Sequence, residues 1–383
     1  MDEKKVILFV SHKHPPSIGG MENHNYHLKI RLEKDYTLIP IIIQPGESSI
    51  SFFRSVRKRM MQELESKKID SVYVNDGLLG IIIADLKLKF PNVKFISTIH
   101  GLDVTFPVKF YQKKLVPRLR HFDKLICDSR FTNDVVDKFD ELKSKSTTIL
   151  CGNDSEIYKL SAAERQQFDE KYKYLEEFKI LLSIGRPVKR KGFSWFAKNV
   201  LPKLASNVRY LVVGPLPKIS FGHKLRNLVL PNKTNHYINL GLGFPEDFEE
   251  LQKIKDGKLI LTGGVSYPEL NYLIERADLF IVPNVDVKGD AEGFGLVALE
   301  GAIRNKVVLA ADLQGLKDAI SDQNNGFLLP TEDQAKWVEK VNYFLNDPQK
   351  TKEMGISAGK YTIENYSWDK MTKEYSEVFR LIV

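Results

Sequence analysis

Short β-branched apolar runs alternate with amphipathic segments along almost the whole chain. In the first half the runs are Val6–Val10, Leu38–Ile43, Ser71–Asn75, Lys94–Ile99, Lys124–Asp128 and Thr147–Leu150. In the second half they are Lys179–Ile184, Arg209–Val213, Leu259–Leu261, Leu279–Val282, Val307–Ala310 and Phe327–Leu329. Near-continuous apolar strands separated by helical patterns predict βαβ units and parallel sheets covered on both faces. The stretch 155–178 is polar and charged and divides the two series, which places a boundary near residue 165. Met371, Tyr375, Val378, Phe379 and Ile382 recur at helical spacing, so 368–383 reads as a closing helix.

The 383-residue length fits two domains. No apolar run approaches the length of a membrane span. The acidic start, Met1-Asp-Glu, runs straight into a strand, unlike a secretion signal. With only Cys127 and Cys151, no disulfide framework or zinc cluster can be built, and a cytoplasmic setting is expected. The charge is uneven. Residues 50–120 hold 14 Lys or Arg against 6 Asp or Glu, which equals the +8 of the entire chain. Within that stretch, 52–61 and 109–120 mix cations with large apolar groups. Such a segment suits either an anionic membrane surface or a solvated helix face with its aromatics turned inward. No recognition motif accompanies the charge, so nucleic acid is not an expected partner.

Four places carry candidate chemistry, each where a strand gives way to a loop and helix, the usual ligand edge of a parallel sheet. After the first strand, Gly19-Gly20-Met-Glu22 could bring backbone to a phosphate, or form a plain turn. His12, His14, His24 and His27 surround that turn, but their spacing does not suit zinc. After the fourth strand comes His100-Gly101-Leu-Asp103, where His100 could contact a sugar hydroxyl or serve structure. In the second half, Gly185-Arg186 is followed by Lys191-Gly192, two cations suited to phosphate oxygens. Finally, Gly263-Gly264-Val265 precedes Glu292-Gly-Phe294-Gly295-Leu296 and Glu300. Two carboxylates bracketing a glycine turn suit the two ends of one polyhydroxylated, phosphorylated ligand.

In order and spacing these motifs resemble retaining glycosyltransferases of family 4, across nearly the whole chain. Cys127-Asp-Ser129, Gly152-Asn153-Asp154, Pro283-Asn284, Asn325-Gly326 and Ser367-Trp368 extend the resemblance. It implies an α/β protein of GT-B fold: two Rossmann-like parallel-sheet domains facing a cleft. They would be an acceptor-binding domain at 1–165 and a nucleotide-sugar-binding domain at 166–365. A helix at 366–383 would cross back to the first. It also implies site roles. Arg186 and Lys191 would bind the donor diphosphate and Glu300 the ribose. Glu292 would orient the sugar with the backbone of Phe294, Gly295 and Leu296. Gly264 and Val265 would meet the base, His100 the sugar, and Gly19 and Gly20 the phosphate. His100, Glu292, Arg186 and Lys191 form the implied catalytic set, with no metal and no cofactor beyond the donor. The implied activity is transfer from a UDP- or GDP-sugar to a glycan or lipid-linked acceptor in envelope synthesis. A soluble enzyme making a free disaccharide or storage glucan is the alternative, as is a nucleotide-sugar-binding protein without turnover. The chain departs from the family pattern at Gly214-Pro215-Leu-Pro217, in the longer segment 216–257, in the approach Val287–Asp290, and at Gly301 where alanine is common.

Overall fold

The computed structural model describes residues 4–15, 19–153, 158–216, 237–240 and 244–382. Residues 16–18, Asp154, Pro217 and most of 216–257 lie outside them, so the sequence readings there are not addressed. The chain divides into two compact units. The first comprises Met1–Gly152, Glu292–Phe294 and Tyr366–Val383, and the second Asn153–Ala291 and Gly295–Asn365.

Each unit is built on a six-stranded, wholly parallel sheet. In the first, β1 (Val6–Ser11), β2 (Thr37–Ile42), β3 (Ser71–Val74), β4 (Lys94–Ile99), β5 (Lys124–Cys127) and β6 (Ser146–Thr148) lie in the order β2-β1-β3-β4-β5-β6. In the second, the strands are β7 (Lys179–Ile184), β8 (Val208–Val213), β9 (Leu259–Gly263), β10 (Leu279–Val282), β11 (Val307–Ala311) and β12 (Phe327–Leu329). They lie in the order β12-β11-β10-β7-β8-β9. The central strands are buried throughout, as β3 and β10 show, because helices cover both faces.

Strand ends become helix starts through short polar side chains. Asp76 Oδ1 accepts from Leu79 N at 2.8 Å and Ser129 Oγ from Thr132 N at 3.0 Å. Ser266 Oγ accepts from Glu269 N at 3.3 Å. Each satisfies an amide that the first helical turn leaves unpaired. The polar stretch around residue 165 is itself partly helical. Ser161 and Glu164 form a capping box at the start of the helix Ala162–Lys171. That helix belongs to the second unit, where Tyr172 stacks on Tyr272 with ring centroids 5.8 Å apart.

The closing helix, Trp368–Ile382, packs against the helix Gly20–Leu32 of the first unit. Trp368, Met371, Tyr375 and Phe379 form its buried side. Its Tyr375 hydroxyl meets Thr98 Oγ1 of β4 at 2.9 Å, and Thr98 Oγ1 in turn meets Tyr73 OH of β3 at 2.7 Å. His27 stacks on Trp368 at 4.7 Å.

Candidate active site

In the second sheet, β7 runs on to β8 and β9 on one side, while β10 pairs on its other side and leads to β11 and β12. The chain therefore reverses its direction of travel across the sheet between β7 and β10. Such a reversal, at the carboxyl edge, is the usual ligand position in open α/β sheets. The loop after β7 carries Arg186 and Lys191. The loop after β10 carries Glu292, Phe294 and Gly295 and leads into the helix Leu296–Ile303 with Glu300. Gly264 and Val265 follow β9 on the same edge.

The loop after β7 is folded down onto the end of β10. A short 3-10 turn, Lys189–Lys191, ends at Gly192, whose φ of +65° is left-handed. A Cβ at Gly192 would collide with the Pro283 carbonyl oxygen, so only glycine permits this approach. The Val285 amide then donates to the Arg190 carbonyl at 2.9 Å. Arg190 also pairs with the buried Asp290 at 3.3 Å. The extra residues before Glu292 are thus tied to the loop that bears Lys191. Lys191 is itself buried, whereas Arg186 is exposed.

Glu300 lies more than one turn into its helix. Burial raises its carboxyl above the ordinary range, while Arg304 and Lys191 pull it back down. Lys191, after β7, and Glu300, after β10, are therefore close enough to act on one another. Arg304 is held by Asn271 Oδ1 at 2.9 Å, the Glu300 carbonyl at 3.1 Å and Tyr267 OH at 3.4 Å. Sequence reading missed Arg304 as a contributor. The available signal was its place four residues after Glu300, one helical turn on the same face. Gly301 is explained by packing, since a Cβ there would stand 2.6 Å from the Phe280 ring of β10. The helix lies too close to the strand for alanine.

In the first unit, Gly19 and Gly20 open the helix Gly20–Leu32 after β1, with Glu22 in its first turn. His100 follows β4. Parallel pairing of Ile99 with Cys127 sets the next residues, His100 and Asp128, side by side. His100 Nδ1 donates to Asp128 Oδ2 at 2.9 Å, and Nε2 donates to the Asn75 carbonyl at 3.0 Å. Both partners are acceptors, so the ring must carry two protons to satisfy both. Burial opposes that charge. The bond to Asp128 and the fields of Asp128, Asp103 and Asp76 outweigh it and push the imidazole up to about 9. Asp103 Oδ2 accepts from the amides of His100 at 2.9 Å and Gly77 at 2.8 Å, and its carboxyl is raised to about 6, chiefly by burial and then by Asp76. The sequence marked Cys127-Asp-Ser129 but gave Asp128 no part; the strand register assigns it one.

The other histidines serve separate purposes. His24 is buried between Cys151 Sγ at 3.6 Å and Tyr375 OH at 3.3 Å. Its imidazole is lowered to about 3 by burial and by the neighbouring His100 and His27. His12 Nδ1 lies 2.9 Å from Asp76 Oδ2. Among the described residues, no group of three or more His, Cys, Asp or Glu is placed to hold a metal.

Comparison with known proteins shows the family and the fold. An uncharacterized glycosyltransferase of Methanocaldococcus jannaschii is 23% identical, over 95% of each chain. A D-inositol 3-phosphate glycosyltransferase of Nocardia farcinica is 35% identical over 45% of this chain and 37% of its own. Sucrose-phosphate synthase of Thermosynechococcus elongatus superposes with a TM-score of 0.73 at 17% identity, covering 99% of each chain. Anabaena HepE in complex with UDP-glucose does so with a TM-score of 0.71 at 16% identity, covering 98% of this chain and 99% of its own. The family described as glycosyl transferases group 1 matches residues 164–361, more than half of the chain. The protein accordingly belongs to that family, the retaining, nucleotide-sugar-dependent glycosyltransferases of GT-B fold.

Proposed function

We infer that the second unit binds a nucleoside diphosphate sugar at the carboxyl edge between β7 and β10 and gives up its glycosyl group to a glycan or lipid-linked acceptor of envelope synthesis. The observation that carries this reading is that Lys191, after β7, and Glu300, after β10, follow the two strands between which the strand order reverses. A nucleoside diphosphate presents a vicinal diol and a dianion a few ångströms apart. A carboxylate beside a cation complements both.

Glycosyl transfer passes through an oxocarbenium-like state, with negative charge growing on the departing diphosphate. Arg186 and Lys191 would stabilise that growing charge more than the ground state, which lowers the barrier without a metal. Glu300 would accept from the ribose hydroxyls, Arg304 would oppose the effect of burial on its carboxyl, and the backbone at Gly264 and Val265 would meet the base. Glu292 would orient the transferred sugar with the amides of Phe294, Gly295 and Leu296. The Gly19-Gly20 backbone is assigned to phosphate. His100 donates from both nitrogens, so it acts as a fixed positive charge rather than as a proton acceptor. A uridine base is favoured by the likeness to HepE in complex with UDP-glucose.

A panel of UDP- and GDP-sugars, followed by release of nucleotide, tests the reading. At least one donor should be turned over slowly without acceptor. Glu292→Ala should lower that rate by about two orders of magnitude, the usual cost of losing an oriented electrostatic contact. Wild-type release by Glu292→Ala would remove it from the site.

A further inference from the structure

We propose that the first unit carries a docking surface for an anionic lipid bilayer, formed by the helix Ser49–Ser66 and the segment 109–121. The proposal stands apart from the donor reading, since none of its residues belongs to the donor site.

The helix Ser49–Ser66 buries Phe52, Val56, Met60 and Leu64 in the core, one stripe at four-residue spacing. Its opposite side bears Ile50, Arg54, Arg57 and Lys58. The second segment passes through a π turn, Tyr111–Leu115, and a 3-10 turn, Val116–His121. Of these residues only Val116 and Leu119 are buried. Asp85 joins the two segments: its Oδ1 accepts from Arg57 Nη1 at 2.5 Å and from Arg118 Nη2 at 3.3 Å. Two basic stretches far apart in sequence therefore meet at one point of the surface.

The acids of 50–120 leave most of its cations unmatched. Five of the six are already engaged: Glu63 by Lys67, Asp70 by the Val6 amide, Asp76 by His12, Asp85 by the two arginines, and Asp103 by backbone amides. Arg54, Lys58, Lys109, Lys113, Lys114 and Arg120 remain exposed. The same two segments each expose a large apolar side chain, Ile50 at 66% and Phe110 at 65%. A polyanion in water would satisfy the cations and leave these two wet. The interface of an anionic bilayer accommodates both, with cations at the headgroups and apolar groups at the acyl boundary. None of the described helices is long and apolar enough to cross a membrane, so such attachment would be to the surface.

The test is sedimentation of the intact protein with vesicles of phosphatidylcholine, with and without phosphatidylglycerol, over a range of salt. Binding is expected only to the anionic vesicles and should fall as salt rises. Each cation near such a surface adds roughly a fivefold gain in partitioning. Arg54→Glu with Lys58→Glu, and Lys113→Glu with Lys114→Glu, should therefore each lower binding more than tenfold. Phe110→Ser should weaken it several-fold at every salt concentration. Lys113→Gln with Lys114→Gln provides a milder pair, and unchanged melting confirms that each variant is folded. Equal binding to both vesicle types, wild-type binding by the folded charge variants, or capture by duplex DNA without capture by anionic vesicles would overturn the proposal.

Discussion

At the scale of single residues, two histidines titrate in opposite senses. His100 is held up to about 9 by Asp128 and its acidic neighbours, against burial. A folded-state value above the unfolded one, about 6.5, gives stability that is complete below 6.5 and lost as pH rises through about 9. His24 is lowered to about 3, first by burial, so its contribution is complete above 6.5 and declines as pH falls toward about 3. The two together should place a stability maximum near neutrality, measured as melting temperature against pH. Asp128→Asn should bring His100 toward ordinary values, lower stability most below pH 6.5, by on the order of 2–3 kcal/mol, and flatten the loss above neutrality. An unchanged imidazole titration by NMR in that variant would contradict the assignment. Asp128 was not legible as a partner because nothing in the local sequence reports which strand lies beside β4. Only the register Ile99–Cys127 does.

At the scale of elements, two glycines set how closely chain segments approach. Gly192 adopts φ +65° against the Pro283 carbonyl, so Gly192→Ala meets both backbone strain and a collision with main chain. It should cost about 2–4 kcal/mol or displace the loop bearing Lys191, seen as a lower melting temperature with weaker nucleotide binding. Gly301→Ala meets a side chain instead, the Phe280 ring at 2.6 Å. Overpacking of that kind costs about 1–3 kcal/mol, and a compensating Phe280→Leu should recover part of it. Had Gly301 been an incidental replacement of alanine, Gly301→Ala would be neutral or stabilising. The strands themselves were legible, because β-branched runs such as Phe280-Ile281-Val282 are apolar on both faces of a covered sheet. The packing distance between a helix and its strand leaves no such mark, so Gly301 read as a departure with no reason. The helix Ala162–Lys171 was hidden by its own polarity, since only Phe168 faces inward.

At the scale of the whole molecule, the chain leaves the first unit, builds the second, and returns through Trp368–Ile382. That return is a structural requirement of the first sheet. Tyr375 reaches Thr98 and His24, and removal of 366–383 would strip the cover from Tyr73 and His24. Tyr375→Phe should cost about 1–2 kcal/mol through the polar groups left unpaired. The truncated chain should lose cooperative melting of the first unit. Motif order along the sequence made the family legible, because its charged contacts are spaced along one chain. The strand order was not, and it is the adjacency of β7 and β10 that brings the loops bearing Lys191 and Glu300 to one edge of the sheet. The most direct test of that edge as the donor site is isothermal titration of the intact protein with UDP and GDP. One nucleotide should bind, and Lys191→Ala and Glu300→Ala should each weaken it by at least about tenfold, the worth of one charge-assisted contact. Arg54→Glu should leave it unchanged. Wild-type affinity in both Lys191→Ala and Glu300→Ala, or no binding of either nucleotide, would contradict the account.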